Sequence, residues 1–240
     1  MLSKRNILIA EYLTALCMNQ SLRPIRSFVH RQKKLSTRQQ LALSTLFDQK
    51  PLSTTINFKN LFEREARVIL EIGFGMGDSL LQQAQLHPEN NYLGIEVHRP
   101  GIALILTQIE KFKLNNLKVI YADATEVLTH SIPKHSLDLV QIFFPDPWPK
   151  TRHHKRRLVQ AKFIDLLHEK LKLNGKLHLA TDWGDYAQHM LKILENAPKW
   201  QNTVEKNQFT PRPSSRPMTK FEKRGQQLGH AIWDLVFLTV

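Results

Sequence analysis

Val68-Ile69-Leu70-Glu71-Ile72-Gly73-Phe74-Gly75-Met76-Gly77 runs from a short apolar segment straight into three glycines. Branched and large aliphatic residues favour a strand at Val68 to Ile72. Glycine then lets the backbone turn tightly and come close to a ligand. Ser79 to Leu86, next in line, has helical periodicity. Strand, glycine loop and helix in that order open an α/β fold whose first turn meets a ligand. The spacing is G-x-G-x-G, whereas a dinucleotide fingerprint reads G-x-G-x-x-G, so the glycines alone favour no particular cofactor. Glu71 is more selective. A carboxylate just before the loop repels a pyrophosphate and suits a ligand with a cationic end, such as the sulfonium and amino group of S-adenosylmethionine.

Outward from this unit the chain alternates. Tyr92 to Val97, Lys118 to Tyr121, Leu137 to Phe143, Lys176 to Ala180 and Ala231 to Val240 read as further strands. Ile102 to Phe112, Thr125 to Thr129, Arg157 to Lys172 and Tyr186 to Leu194 read as helices. This order predicts a mostly parallel sheet with helices on both faces. Ligands of such sheets bind outside the carboxyl ends of the strands. Glu71, Glu96, Asp123, Asp146 and Asp182 all fall at or just after predicted strand ends. Glu96 lies 23 residues after Gly73, where an acid accepts from ribose hydroxyls. Asp123 is placed to accept from an adenine amino group. Each acid has a plainer use as a helix cap.

The fourth strand delivers Phe143-Phe144-Pro145-Asp146-Pro147-Trp148-Pro149-Lys150. Proline fixes φ and pushes its predecessor toward extended geometry, so Asp146 sits in a stiff loop beside an indole, with Trp148 a candidate stacking surface. Thr151-Arg152-His153-His154-Lys155-Arg156-Arg157 continues as a cationic run without an acid. Adjacent histidines with no further ligand at suitable spacing make a poor zinc site, and no metal is expected. A third cluster, Arg212 to Gly225, alternates proline with arginine and reads as an ordered loop. Its Thr219-Lys220-Phe221-Glu222 offers a hydroxyl, a cation and a carboxylate within four residues.

Charge is concentrated. The 240-residue chain carries a formal net charge of +13. Residues 1–50 hold nine Lys/Arg against two acids, residues 150–157 five against none, and residues 199–224 seven against two, so the remaining body is slightly acidic. Basic appendages on an acidic body point to a polyanion, nucleic acid before an anionic membrane. One cysteine, Cys17, excludes an internal disulfide and fits a reducing, cytoplasmic setting. Asn6 to Met18 is interrupted by Glu11 and Tyr12 and lacks a convincing cleavage site, so it reads as a short amphipathic helix or irregular extension, not a signal peptide. No stretch approaches the roughly 20 apolar residues of a membrane span. A basic arm at 1–50 and a catalytic domain at 51–240 are the expected division.

The motifs EIGFGMG at 71–77, GIEVH at 94–98, FFPDPWPK at 143–150, RHHKRRL at 152–158, ATDW at 180–183 and RPMTKFEKRGQQLGH at 216–230 together resemble the bacterial tRNA (guanine-N7-)-methyltransferase family. The resemblance runs from about Arg26 to the C-terminus; the glycine loop is common to class I methyltransferases, the proline-aspartate-proline-tryptophan loop is not. It implies a Rossmann-like fold with a seven-stranded, mostly parallel sheet. It also implies methyl transfer from S-adenosylmethionine to N7 of a guanine in the variable loop of tRNA. By that similarity Glu71, Gly73, Gly75, Gly77, Glu96, Asp123 and Asp146 hold the cofactor, and Asp146 is catalytic. Lys150, Asp182 and Thr219, Lys220, Phe221 and Glu222 contact the tRNA substrate. Arg152, His153, His154, Lys155, Arg156 and Arg157 engage its backbone. The partner is then tRNA, and the expected state a monomer, with a homodimer as the alternative. Two other readings use the same features: an NAD-dependent oxidoreductase, and a cofactor-free RNA-binding protein.

Overall fold

The computed structural model describes residues 7–9, 27–28, 36–46 and 55–240. Cys17, most of the Asn6 to Met18 segment and most of the basic stretch from Arg26 to Lys34 lie outside the described residues. The strands are β1 (Ile7–Ile9), β2 (Val68–Ile72), β3 (Asn91–Glu96), β4 (Leu117–Tyr121), β5 (Leu137–Phe143), β6 (Leu171–Thr181), β7 (Trp200–Asn202) and β8 (Trp233–Thr239). They form one sheet in the order β1-β4-β3-β2-β5-β6-β8-β7. Strands β1 to β6 pair in parallel, and β8 runs antiparallel to both β6 and β7. The seven strands from Val68 to Thr239 are the expected sheet. Ile7–Ile9, expected as helix or irregular chain, instead adds an eighth strand at the β4 edge.

The helices are α1 (Thr37–Leu46), α2 (Phe58–Phe62), α3 (Asp78–Leu86), α4 (Arg99–Phe112), α5 (Ala124–His130), α6 (Ala161–Lys170), α7 (Gly184–Glu195) and α8 (Lys220–Gln227). They cover both faces of the sheet. On one face Leu80, Ala84, Ile102, Ile105, Leu106 and Ile109 of α3 and α4 pack on Ile69, Tyr92 and Val119, joined by Leu43 of α1. On the other, Phe163, Ile164, Leu167, Tyr186, Met190 and Leu194 of α6 and α7 pack on Leu70, Ile95, Val140 and Leu179. Strands buried on both faces explain why β2 and β5 read as nearly continuous apolar runs. Leu43 and β1 also show that parts of the first 50 residues are built onto the sheet domain.

One predicted helix is cut short. Arg157 to Lys172 was expected to be helical throughout, but the chain forms a 3₁₀ turn at Thr151–Arg156, runs extended through Gln160, and becomes α6 at Ala161. The cause is local. The Tyr186 hydroxyl accepts from Val159 N–H at 3.1 Å, and the Arg157 side chain turns inward. Both commitments hold the backbone out of a helix. Among the described residues no helix is long and apolar enough to cross a membrane.

Candidate active site

The strand order reverses between β2 and β5, the position at which open α/β sheets bind ligands. The glycine loop leaves β2 on one side of this crevice and the Asp146 loop leaves β5 on the other. Because β2 to β6 are parallel, Glu96, Asp123 and Asp182 emerge on the same rim. The expectation of five acids at one rim matches this topology.

The glycine loop is held from two directions. Gly73, Gly75 and Gly77 have φ of 75°, 59° and 83°, the left-handed region that favours glycine. Glu96 grips the loop from β3: its Oε2 accepts from Gly75 N–H at 2.6 Å, and its Oε1 from Val97 and His98 N–H at 2.6 and 2.8 Å. Gly101 in α4 presses on the loop from the side, where a β-carbon would come within 1.8 Å of the Gly75 carbonyl oxygen. Gly101 carried no motif and lay just ahead of the helix expected from Ile102.

Glu71 is 3% exposed in the interior beneath this loop. Its hydrogen-bonding neighbours are polar and uncharged. Gln83 and Gln141 exchange amide hydrogen bonds at 3.0 Å, and Gln83 also reaches Ser79 at 3.2 Å and Glu71 at 3.5 Å. Burial, and then the neighbouring Glu96 carboxylate, push the Glu71 carboxyl up to about 8, against a hydrogen bond from Ser79. An opposite charge brought beside such an acid would favour its ionised form. Asp123 takes up its plainer role: it caps α5, its Oδ1 accepting from Thr125 N–H at 2.7 Å.

Asp146 is exposed at the tip of its loop. Phe144 and Trp148 flank it with φ of 53° and 46°, left-handed conformations that cost about 1–3 kcal/mol each for such residues. Surrounding contacts hold them there. Phe144 N–H donates to Ala180 at 2.7 Å, and Arg157 Nε donates to the Pro147 carbonyl at 2.9 Å. Trp148 lies under the Arg156 guanidinium at 4.1 Å, meets His153 edge-on at 5.7 Å, and donates to the Ser27 carbonyl at 2.9 Å. Through these contacts Trp148 packs the loop.

The cationic run divides by exposure. Lys150, Arg152 and Lys155 are exposed, while Arg156, His153 and His154 are partly covered. His153 is held below the usual histidine range by desolvation and then by the surrounding Arg152, Arg156, Lys150 and Lys155 charges. Arg157 departs from expectation. Only 2% exposed, it pairs with Asp185, lies 3.0 Å from His154 Nε2 and spreads over the Tyr186 ring at 4.9 Å. It cannot present its charge to RNA; it staples the Asp146 loop to α7.

Across the crevice lies the third cluster, a loop as expected through Thr219 and then, from Lys220, the helix α8. Thr219 caps it, accepting from Glu222 N–H at 3.0 Å. Thr-x-x-Glu before a helix is a capping signature that could have revealed α8 from sequence. Lys220 pairs with Asp78, the first residue of α3, at 2.9 Å, so α8 begins beside the glycine loop. Gly225 packs against Asp182, whose carboxylate lies 3.8 Å from His230. Asp182, Trp183, His230 and Trp233 line an open cavity of about 360 Å³ there. The Phe221 side chain lies outside what is described. Glu222 needs correction. It is fully buried, and its two oxygens take four hydrogen bonds, at 2.6 and 3.4 Å from Arg212 and at 2.6 and 2.9 Å from Arg216. Burial pushes this carboxyl up, but the two arginines outweigh it and hold it below the usual range. A carboxylate with about four acceptor positions has none left for a substrate.

A methyltransferase family model, Methyltransf_4, matches residues 65–235. The tRNA (guanine-N(7)-)-methyltransferase of Yersinia enterocolitica serotype O:8 is 52% identical over 221 residues, covering 91% of this chain and 92% of that protein. The chain belongs to the bacterial tRNA (guanine-N(7)-)-methyltransferase family. A relative of the same name from Pectobacterium atrosepticum is 51% identical over 219 residues, covering 90% of this chain and 92% of its own. Among solved structures, the 16S rRNA methyltransferase KamB aligns with a TM-score of 0.55 and 14% identity, over 76% of this chain and 92% of that one. The aminoglycoside resistance methyltransferase NpmB1 aligns over the same shares with a TM-score of 0.53 and 16% identity. Those two likenesses are of fold alone, and they are to Rossmann-like methyltransferases. Membership in the family sets aside the oxidoreductase and cofactor-free readings.

Proposed function

We propose that the chain methylates N7 of a guanine in the variable loop of tRNA, with Asp146 as the catalytic carboxylate and S-adenosylmethionine as the methyl donor. The observation that carries this reading is the meeting of the glycine loop and the Asp146 loop at the β2/β5 crevice in a chain of this family. The donor supplies an electrophilic methyl group on a sulfonium. The residues present fit it: Glu71 is a buried acid, raised to about 8 by burial and by the Glu96 carboxylate, beneath a loop of left-handed glycines. Glu71, Gly73, Gly75, Gly77, Glu96 and Asp123 would hold it.

Guanine N7 has an in-plane lone pair and no proton, so the protein need supply no base. Its task is orientation and a response to charge, because the imidazole ring becomes cationic. Asp146 would accept from guanine N1–H and the exocyclic amine, orienting the base and favouring the positive charge that develops. Lys150, Asp182, Thr219 and Lys220 would contact the tRNA, while Glu222 holds their helix. A base inside tertiary stacking would be turned out into the crevice. The reading includes a cytoplasmic, monomeric enzyme, consistent with a single cysteine. Labelled methyl incorporation tests it: an unmodified tRNA transcript should accept label, and one with adenine in place of the variable-loop guanine should not. Equal labelling of both transcripts would refute the target.

The Glu71 assignment has a pH signature. A carboxyl raised from 4.5 to about 8 leaves the free protein progressively less stable as pH rises between those values, because only the unfolded chain ionises freely there. A bound cation restores the charge, with release of a proton below about pH 8. Cofactor affinity should therefore climb from pH 6 to 8 and level off above. The cofactor-induced rise in Tm should likewise be larger at pH 8.5 than at pH 6. Titration calorimetry in two buffers of different ionisation enthalpy reads the proton directly; a flat affinity with no proton release would contradict the role of Glu71.

The basic run should separate into two behaviours. Replacing Lys150, Arg152 and Lys155 together by Ala should weaken tRNA binding and lower the slope of log K against log salt by about 2–3. Arg157→Ala should leave that slope unchanged and cost about 2–3 kcal/mol of stability through lost charged hydrogen bonds. Filter binding across a salt series and chemical denaturation distinguish them.

A further inference from the structure

Arg216 heads the fully buried side chains of the described residues by volume. Its guanidinium joins two buried carboxylates. Glu222 of α8 receives it at 2.6 and 2.9 Å, and Asp234 of β8 lies 2.7 Å from Nε and 3.0 Å from Nη2. Asp234 continues to His178 of β6, 2.7 Å away. The guanidinium also lies 5.9 and 5.8 Å from the rings of Phe143 and Phe144, and Phe143 meets His178 edge-on at 5.0 Å. Phe143 ends β5, and Phe144 is the left-handed residue that turns the chain out toward Asp146. One charged group thus touches the root of the catalytic loop and the base of the helix bearing Thr219 and Lys220.

We propose that Arg216 is a positioning residue for methyl transfer, fixing the Asp146 loop relative to α8 so that carboxylate and tRNA contacts face each other across the crevice. The inference rests on the reading of Asp146 as catalytic. Two features favour positioning over plain support. Buried ion pairs are poor net stabilisers beside well-packed apolar residues, whereas a planar guanidinium fork admits few arrangements of its carboxylate partners. Further, the cluster grips α8 from inside: among its described residues Glu222 and Gly225 are buried, and Glu222 is the one held by Arg216. The glycine loop is held instead by Glu96 of β3.

The test compares Arg216→Lys and Glu222→Gln with the unaltered protein and with Asp146→Ala, all assayed well below their melting temperatures. Lysine keeps the charge and loses the fork; glutamine keeps the shape and loses the charge. Misplacement of reacting groups by about 1 Å costs on the order of 100-fold. Arg216→Lys should lower kcat by about that factor and raise KM for tRNA, with Kd for S-adenosylmethionine within about twofold of the parent. Glu222→Gln should show the same split with a smaller fall, and it serves if Arg216→Lys does not fold. Parental kcat in both variants, with Asp146→Ala inactive, would overturn the Arg216 role alone. Loss of cofactor affinity in proportion to kcat would also overturn it, since that is what general destabilisation produces. An active Asp146→Ala would instead overturn the catalytic reading on which the inference rests.

Discussion

Asp146→Ala is expected to lower kcat for tRNA methylation by about 100- to 1,000-fold, the range seen when a preorganised charge-stabilising group is removed. The frame around the carboxylate should survive. Pro145 and Pro147 restrict the backbone, Phe144 N–H is bonded to Ala180, and Arg157 holds the Pro147 carbonyl. Cofactor affinity should fall only modestly, because Glu71, Glu96 and the glycine loop lie on the other side of the crevice. Asp146→Asn should fall between the two, since it keeps one acceptor but loses the charge and offers guanine N–H donors where it needs acceptors. Single-turnover kinetics at saturating tRNA check this. Turnover within fivefold of the parent would remove Asp146 from the chemistry.

Gly101→Ala should damage the cofactor site from outside it. The added β-carbon would come within 1.8 Å of the Gly75 carbonyl oxygen and 2.9 Å of its carbon, both backbone atoms. Neither can rotate away as a side chain could. Nor can α4 withdraw freely, because Ile102, Ile105, Leu106 and Ile109 are buried beneath it. The loop must move instead, against the hydrogen bond that Glu96 makes to Gly75. Overpacking of this kind costs about 1–3 kcal/mol of stability. A displaced loop should also weaken S-adenosylmethionine binding more than tenfold. Urea denaturation and calorimetry measure the two effects; parental cofactor affinity would mean that the loop is not part of the cofactor site.

Legibility from sequence followed local physics. Strands β2 and β5 were readable to the residue because both faces are buried, so burial and branched-residue preference point the same way. The rim of acids followed from strand direction. Failures came where a distant partner overrides a local pattern. Arg157 looked like part of a solvated cationic helix, but Asp185 and the Pro147 carbonyl draw it inside. Helix α8, with Lys, Glu, Arg and Gln around nearly its whole surface, has no apolar stripe to announce it; what anchors it is an ion cluster assembled from Arg212, Arg216 and Asp234. Glu222 read as a substrate contact, yet its charge is spent inward on Arg212 and Arg216. Gly101 matters only through an atom 26 positions away in the chain, which no spacing rule reveals.

The most direct measurement is nucleoside analysis by mass spectrometry of an unmodified tRNA transcript after incubation with the protein and S-adenosylmethionine. The account predicts one N7-methylguanosine per tRNA, located in the variable loop, and almost none with Asp146→Ala. Methylation at another atom or base, or an unmodified transcript, would contradict it.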